Sequence, residues 1–253
     1  MASKNEYSEA LKGTGPIPIA QGIYEMSSTA NGELGTPVRF ADGRVFRYAK
    51  AGATALAPGK LMKAGVVSFA AATNKAVNAA VGVGLYAVTL QTASAYTTCE
   101  EGYLQINDAA GEGIQYKIKE ASANATTAVY TDLTLYDPIA TALTTSSEGT
   151  IIASPYEQIE LCSAITDIII GVSPITVTAE YYFWIQTWGV ACVLADNAVA
   201  AGVVVEVGVD VNSNTAGTTT RNADTAMAVG VQMLVGITAA AGEYKPVWLT
   251  IAP

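Results

Sequence analysis

The stretch "AEYYFWIQTWGVACVLADNAVAAGVVVEVG", residues 179–208, decides how the chain is read. A strand with one wet face alternates apolar and polar residues, because successive side chains point to opposite sides. Here alternation puts Tyr182, Trp184 and Trp188 on one side, and Tyr181, Phe183 and Ile185 on the other. Both sides are apolar and both need cover. Two kinds of cover stay open. One is more of the same chain; the other is a sister subunit, since soluble monomers seldom expose a large aromatic patch.

The flanking sequence keeps this character. Runs such as "YLQIND", "IQYKIKEA", "TDIIIGV", "MAVGVQMLVGIT" and "KPVWLTI" are separated by Gly, Pro, Asn and Asp, and no long amphipathic helix interrupts them. In "TPVRFADGRVFRYAK", Asp42-Gly43 is a two-residue hairpin signal between strand-like runs. The fold expected is all-β, a sandwich or barrel. A loose repeat suggests two similar β units. "VFRYAKAG", "LAPGKLM" and "AVGVGLYAV" are followed in the same order by "YFWIQTWG", "VAAGVVV" and "AVGVQMLVGI". Ala80-Val81-Gly82-Val83 against Ala228-Val229-Gly230-Val231 is the closest part of that match. The divisions expected are an N-terminal helix and arm over 1–35, a first β unit over 36–99, a variable β insertion over 100–160 and a second β unit over 161–253.

The start of the chain differs from the rest. Ser3-Lys-Asn-Glu6 is a capping box and Gly13 a stop, which predicts a short helix with Tyr7 and Leu11 on one stripe. Pro16 and Pro18 then force an extended course around Ile17 and Ile19. Apolar isoleucines between prolines suit an arm lying on something, either its own domain or a neighbour. Tyr7, Leu11, Ile17, Pro18 and Ile19 are the candidate partner contacts.

Composition narrows the function classes. Apolar residues make up 51% of the 253-residue chain and charged ones 14%, against roughly 25% charged in ordinary domains. So low a charge suits a protein that is partly covered. The net charge of −9 argues against a broad nucleic-acid footprint. Six of the 13 basic residues, Arg39, Arg44, Arg47, Lys50, Lys60 and Lys63, crowd one segment. They read either as a solvated sheet face or as a patch for an acidic partner. The opening residues lack the apolar core of a secretory signal, and no run has the ~18 apolar residues of a membrane helix. Neither secretion nor membrane insertion is expected. Cys99, Cys162 and Cys192 are odd in number and far apart, which predicts buried small hydrophobes made in a reducing cytoplasm.

No catalytic constellation emerges. The chain has no histidine, the commonest general base and metal ligand. It has no CxxC pair to suggest zinc. "GVGLYA", residues 82–87, fits a dinucleotide pattern but runs into the strand-like "VTLQT" where a helix should open. "GATALAPGKL", residues 52–61, has the wrong glycine spacing for a phosphate loop. "DVNSNTAG", residues 210–217, has its glycine too late for a calcium loop. The chain is read as a non-enzyme without cofactor or metal.

The order of aromatic strand, glycine turn, β-branched strand and V-G-V strand resembles the decoration (cement) proteins of tailed-bacteriophage heads. "YFWIQTWGVACVLADNAVAAG" and "GEYKPVWLTI" are similar to segments of phage virion structural proteins. The resemblance covers residues 36–90 and 179–253; the middle segment has no counterpart. It implies a structural protein on the outer capsid surface, bound to the major capsid protein and usually trimeric, with no nucleic-acid or membrane partner. A tail-tube or fibre component is the nearest alternative. A β-sandwich carbohydrate-binding module, with its Trp and Tyr rings lining a groove, is the alternative from another class.

Overall fold

The computed structural model describes residues 19–65, 72–164, 166–195, 204–208, 218–221, 228–233 and 243–253. The expected helix, with Tyr7, Leu11, Ile17 and Pro18, lies outside them, as does the 210–217 turn.

The chain is essentially all-β and forms two antiparallel sheets, each in its own compact unit. Strands β1 (Pro37–Arg39), β2 (Val45–Lys50) and β3 (Leu61–Lys63) open the first unit. The chain then builds the second unit from β4 (Lys75–Ala76), β5 (Ala87–Leu90), β6 (Tyr103–Asp108), β7 (Gln115–Ala123), β8 (Thr131–Leu135) and β9 (Glu148–Ile152). It returns to the first with β10 (Glu160–Leu161), β11 (Ile169–Val172), β12 (Tyr182–Leu194) and β13 (Val204–Gly208). Strands β14 (Thr218–Arg221), β15 (Ala228–Gln232) and β16 (Tyr244–Thr250) follow. One unit therefore comprises residues 1–65 and 156–253, and the other residues 66–155.

These divisions differ from those expected, because the first break falls after Gly65 and not near residue 99. The two halves of the supposed repeat also part company. Ala228–Val231 lies in β15 of the first unit, whereas Val81 makes an isolated bridge before an exposed turn of the second. Gly230 lies inside β15 against the backbone of Trp248, whereas Gly82 opens into a turn, and pairing is set by partners far away in sequence.

In the second unit the order is β4-β9-β6-β7-β8-β5. Its two ends meet, since Val77 bridges Leu90, Asn78 N–H donates to Thr89 O and Gln91 N–H to Ala76 O. That nearly closes a six-stranded barrel around Leu90, Leu104, Ile106, Ile118, Leu133 and Ile151. Closure removes open strand edges.

In the first unit a hairpin forms at Asp42-Gly43, pairing Val38 with Phe46, but not with the two-residue loop expected. Its loop has three residues, because Phe40 N–H donates to Arg44 O and Gly43 takes φ +88. That is the turn-plus-glycine closure of longer hairpins. Strand β12 organises this unit. It pairs with β2 from Tyr182 to Trp188 and with β16 from Trp188 to Leu194. Between the two lies a bulge, where Gln186 faces Phe46 and Trp188 faces Val45, leaving Thr187 extra. The Gln186 side-chain amide spans it, donating to Trp188 O and Val190 O. Gly189, at φ +81, lets Arg44 Cα approach to where a Cβ would stand 3.0 Å from it. Bulges bend strands and turn sheets around corners.

The covering of β12 follows from that corner. In its first half Phe183 and Ile185 join Ala49, Leu56, Met62, Ile170 and Val177 on one side. Trp184 joins Ile19, Ile23, Val38, Phe40, Phe46 and Tyr48 on the other. Both faces are covered by the chain itself. In its second half Ala191 and Val193 pack on Val229, Val247 and Leu249, while Val190 and Cys192 on the other side are exposed.

Candidate interaction surface

The residues singled out in the sequence do not converge on one surface. Ile19 is 2% exposed and packs in its own unit's core, so its side chain is not free to meet a partner. Trp184 is fully buried, and Tyr182 is half-buried with its ring stacked on Tyr48 at 6.0 Å. This half of β12 is core, with both faces covered by the chain itself. Trp188 sits half-buried at the corner.

What binds the segment after Ile19 to that core is Gln21, which sequence reasoning missed. Buried at 5% exposure, its amide donates to Glu25 O and Tyr182 O, both at 3.0 Å. Its carbonyl oxygen accepts from the Tyr48 hydroxyl and the Asn31 amide, both at 2.9 Å. The Gln21 backbone oxygen accepts from Trp184 Nε1 at 2.8 Å. Burial raises the Tyr48 hydroxyl pKa, keeping it a donor. Every polar group Gln21 brings inside is satisfied, which makes its burial tolerable.

Beyond the corner the outward side of the sheet is apolar. Strand pairing sets Val190 beside Trp248 and Trp248 beside Val231, one row across β12, β16 and β15. Val190 is 41% exposed, Trp248 36%, and Cys192 and Met233 are also exposed. At the end of this face a cleft of about 190 Å³ is lined by Tyr24, Arg44, Gly59, Gln186, Cys192 and Tyr244, among others. The Tyr244 ring lies directly on Gly59. A Cβ there would fall 2.4 Å from ring carbon Cε1, and Gly59 has φ +67. The hydroxyl donates to Pro58 O. Gly59 also accepts from Leu194 N–H and donates to Ser173 O, so the cleft floor is held by strand-like bonds.

Three of the six residues of the basic segment, Arg44, Lys50 and Lys63, meet carboxylates of the chain itself. Arg44 meets Asp42 at 2.7 Å and lies over the Phe40 and Phe46 rings. Lys50 meets Glu180 and Glu157, and Lys63 meets Glu160 and Asp167. Arg47 donates to Gly35 O and Pro253 O. Burial alone would lower the Lys50 pKa, but Glu180 and Glu157 outweigh it and hold it above its ordinary value. Burial likewise would raise Asp42 and Asp167, yet hydrogen bonds from Arg44 to the one, and from Ser163 and Ala164 to the other, keep both low.

Cys99 and Cys162 are buried as expected, and burial pushes their thiols up to about 12 and about 11. Cys192 corrects the expectation, since it is exposed beside the cleft. In the second unit "GVGLYA" is an exposed loop with Val83 65% accessible, leading into β5 and not into a helix. Its glycines serve a turn, with Gly84 at φ +87. Among the described residues no group of three His, Cys, Asp or Glu is placed to hold a metal ion.

Comparison with protein-family models, curated proteins and solved structures finds no match.

Proposed function

We propose that this chain is a structural virion protein of a tailed bacteriophage, a decoration protein that seats on the outer capsid surface, binds the major capsid protein and stabilises the lattice. It works as a homo-oligomer, with a trimer favoured, after synthesis in the host cytoplasm. The observation that carries the reading is the exposed row Val190–Trp248–Val231 on a braced sheet. Apolar area of this kind marks protein contact, and Arg44, Lys50 and Lys63 already meet carboxylates of the chain. The carbohydrate reading is weaker than the sequence suggested, because Trp184 and Tyr48 are inside the core.

The test is co-sedimentation with empty heads assembled from the major capsid protein of the same genome, together with the oligomeric state in sedimentation velocity. Trp248→Glu is expected to lose head binding while keeping the unfolding midpoint within ~2 °C, since surface substitutions rarely exceed 0.5 kcal/mol. A monomer that ignores heads, or a variant that binds like the parent, refutes the reading.

A further inference from the structure

Residues 28–34 form a loop between two anchor points of the first unit, where Ser27 N–H donates to Tyr182 O and Gly35 N–H to Tyr48 O. Among the described residues, Asn31 alone ties this loop to the body by hydrogen bonds. Its N–H donates to the Tyr48 hydroxyl at 3.1 Å, and its side-chain amide to Gln21 Oε1 at 2.9 Å. The next residue is Gly32, and this is the chain's single Asn-Gly pair. Such a pair is chemically labile, because glycine has no Cβ to keep its nitrogen away from the preceding side-chain carbonyl. Packing keeps the glycine in place. A Cβ on Gly32 would fall 2.5 Å from Ile19 Cδ1 and Cγ1, and Ile19 is buried in the core. Asn31 is exposed, so water reaches its amide, and Gly32 N–H makes no hydrogen bond with the described residues.

We propose that Asn31-Gly32 is a site of spontaneous deamidation, whose rate is set by the hydrogen bond to Gln21 and whose product undoes that same fastening. The Gly32 nitrogen gives up its proton to hydroxide, and its electron pair forms a bond to Asn31 Cγ. The Cγ–Nδ2 bond breaks, and Nδ2 takes a proton from water and leaves as ammonia. Water then opens the cyclic imide at either carbonyl, leaving aspartate or isoaspartate at position 31. While Gln21 and Tyr48 hold Asn31, its side chain is not free to turn towards the Gly32 nitrogen. The reaction waits for a local opening that breaks these two bonds and leaves the core packed. Afterwards an oxygen stands where the donor was, so two acceptors face each other across the former bond. Isoaspartate also adds a methylene to the backbone and moves Gly32 from its place on Ile19. The loop is then untied from Gln21.

The test is to hold the full chain at 37 °C and pH 7, 8 and 9, and to follow position 31 by peptide mapping and ion exchange, since each event adds one negative charge. Product should accumulate at Asn31, faster as pH rises. Gln21→Leu should speed it about two- to tenfold, the factor that one lost hydrogen bond is worth. Gly59→Ala, which weakens the same unit at the Tyr244 ring, should leave the rate unchanged. The deamidated fraction, separated by charge, should unfold at lower urea by tryptophan fluorescence. No product in the folded chain over the time that fully converts the urea-unfolded chain would overturn the proposal. Equal rates in the parent and Gln21→Leu would do so too. The same acceleration in Gly59→Ala would assign the reaction to global unfolding and overturn control by Gln21, and an unchanged urea midpoint would overturn the loosening.

Discussion

Gln21→Leu tests how the first unit is held together. Leucine keeps much of the volume but removes four side-chain hydrogen bonds. Not all four matter equally. Glu25 and Asn31 are exposed and can turn to water, and Tyr182 O keeps its bond from Ser27 N–H. The Tyr48 hydroxyl has no such escape, because Tyr48 is fully buried and its proton is directed at Gln21. A buried donor left unsatisfied costs about 1–3 kcal/mol, and the other lost bonds add about 1 kcal/mol between them. The expected destabilisation is about 2–4 kcal/mol, or roughly 4–16 °C for a body of this size. Trp184, Trp188 and Trp248, the chain's three tryptophans, all belong to the first unit, so tryptophan fluorescence in a urea titration reports that unit alone. Adding Tyr48→Phe removes the stranded hydroxyl. In that background Gln21→Leu should cost only about 1 kcal/mol, a coupling of at least 1 kcal/mol in the double-mutant cycle. Additivity within 0.5 kcal/mol would refute the account of Gln21 as the fastening of residues 19–31.

Other expectations are more local. Gly59→Ala forces a side chain into a left-handed backbone and into the Tyr244 ring; it should cost about 1–3 kcal/mol or more by urea unfolding, with partial recovery on adding Tyr244→Ala. Alkaline pH should destabilise both units. Each buried thiol has a folded pKa raised above the 9.0 reference, so the unfolded chain ionises first, and stability falls as pH rises from 9 towards about 11 for Cys162 and about 12 for Cys99. Cys99→Ala should flatten that loss in the second unit, monitored by far-ultraviolet circular dichroism. Head binding should change little between 0.05 and 1 M salt, because Arg44, Lys50 and Lys63 are spent on internal pairs and exposed pairs contribute only about 0.2–1 kcal/mol each; steep release would return the docking role to Arg39 and its neighbours.

The local signals in the sequence read well. Asp42-Gly43 marked a hairpin, and the double-faced run in residues 181–185 marked a strand with two covers. What supplied the covers was not legible, because β2 lies more than a hundred residues from β12 and no local period encodes that pairing. The exposed face eluded pattern reading for another reason. In β16 both sides carry large apolar groups, Val247 and Leu249 inside with Lys245, and Tyr244 and Trp248 outside, so the pattern does not reveal that one side is left uncovered. Gln21 carried no signal at all: a lone glutamine after "PIPIA" looks like surface until its four partners are seen.

The point where the chain departs from the first unit has a consequence for how such a gene can change. Gly65, the last residue before the excursion, lies against the backbone of Gln158, just after the return at Tyr156; a Cβ on Gly65 would fall 2.1 Å from Gln158 O. Exit and re-entry are thus neighbours, and the host sheet already fixes both. Whatever joins them needs only to start and finish in one place, and closing a longer or shorter connection costs little, roughly 0.6 kcal/mol per doubling of length. The second unit, residues 66–155, is therefore an exchangeable cassette. A two- to five-residue turn, or an unrelated domain with adjacent ends, can take its position by recombination while the sheet around Trp184 keeps its fold.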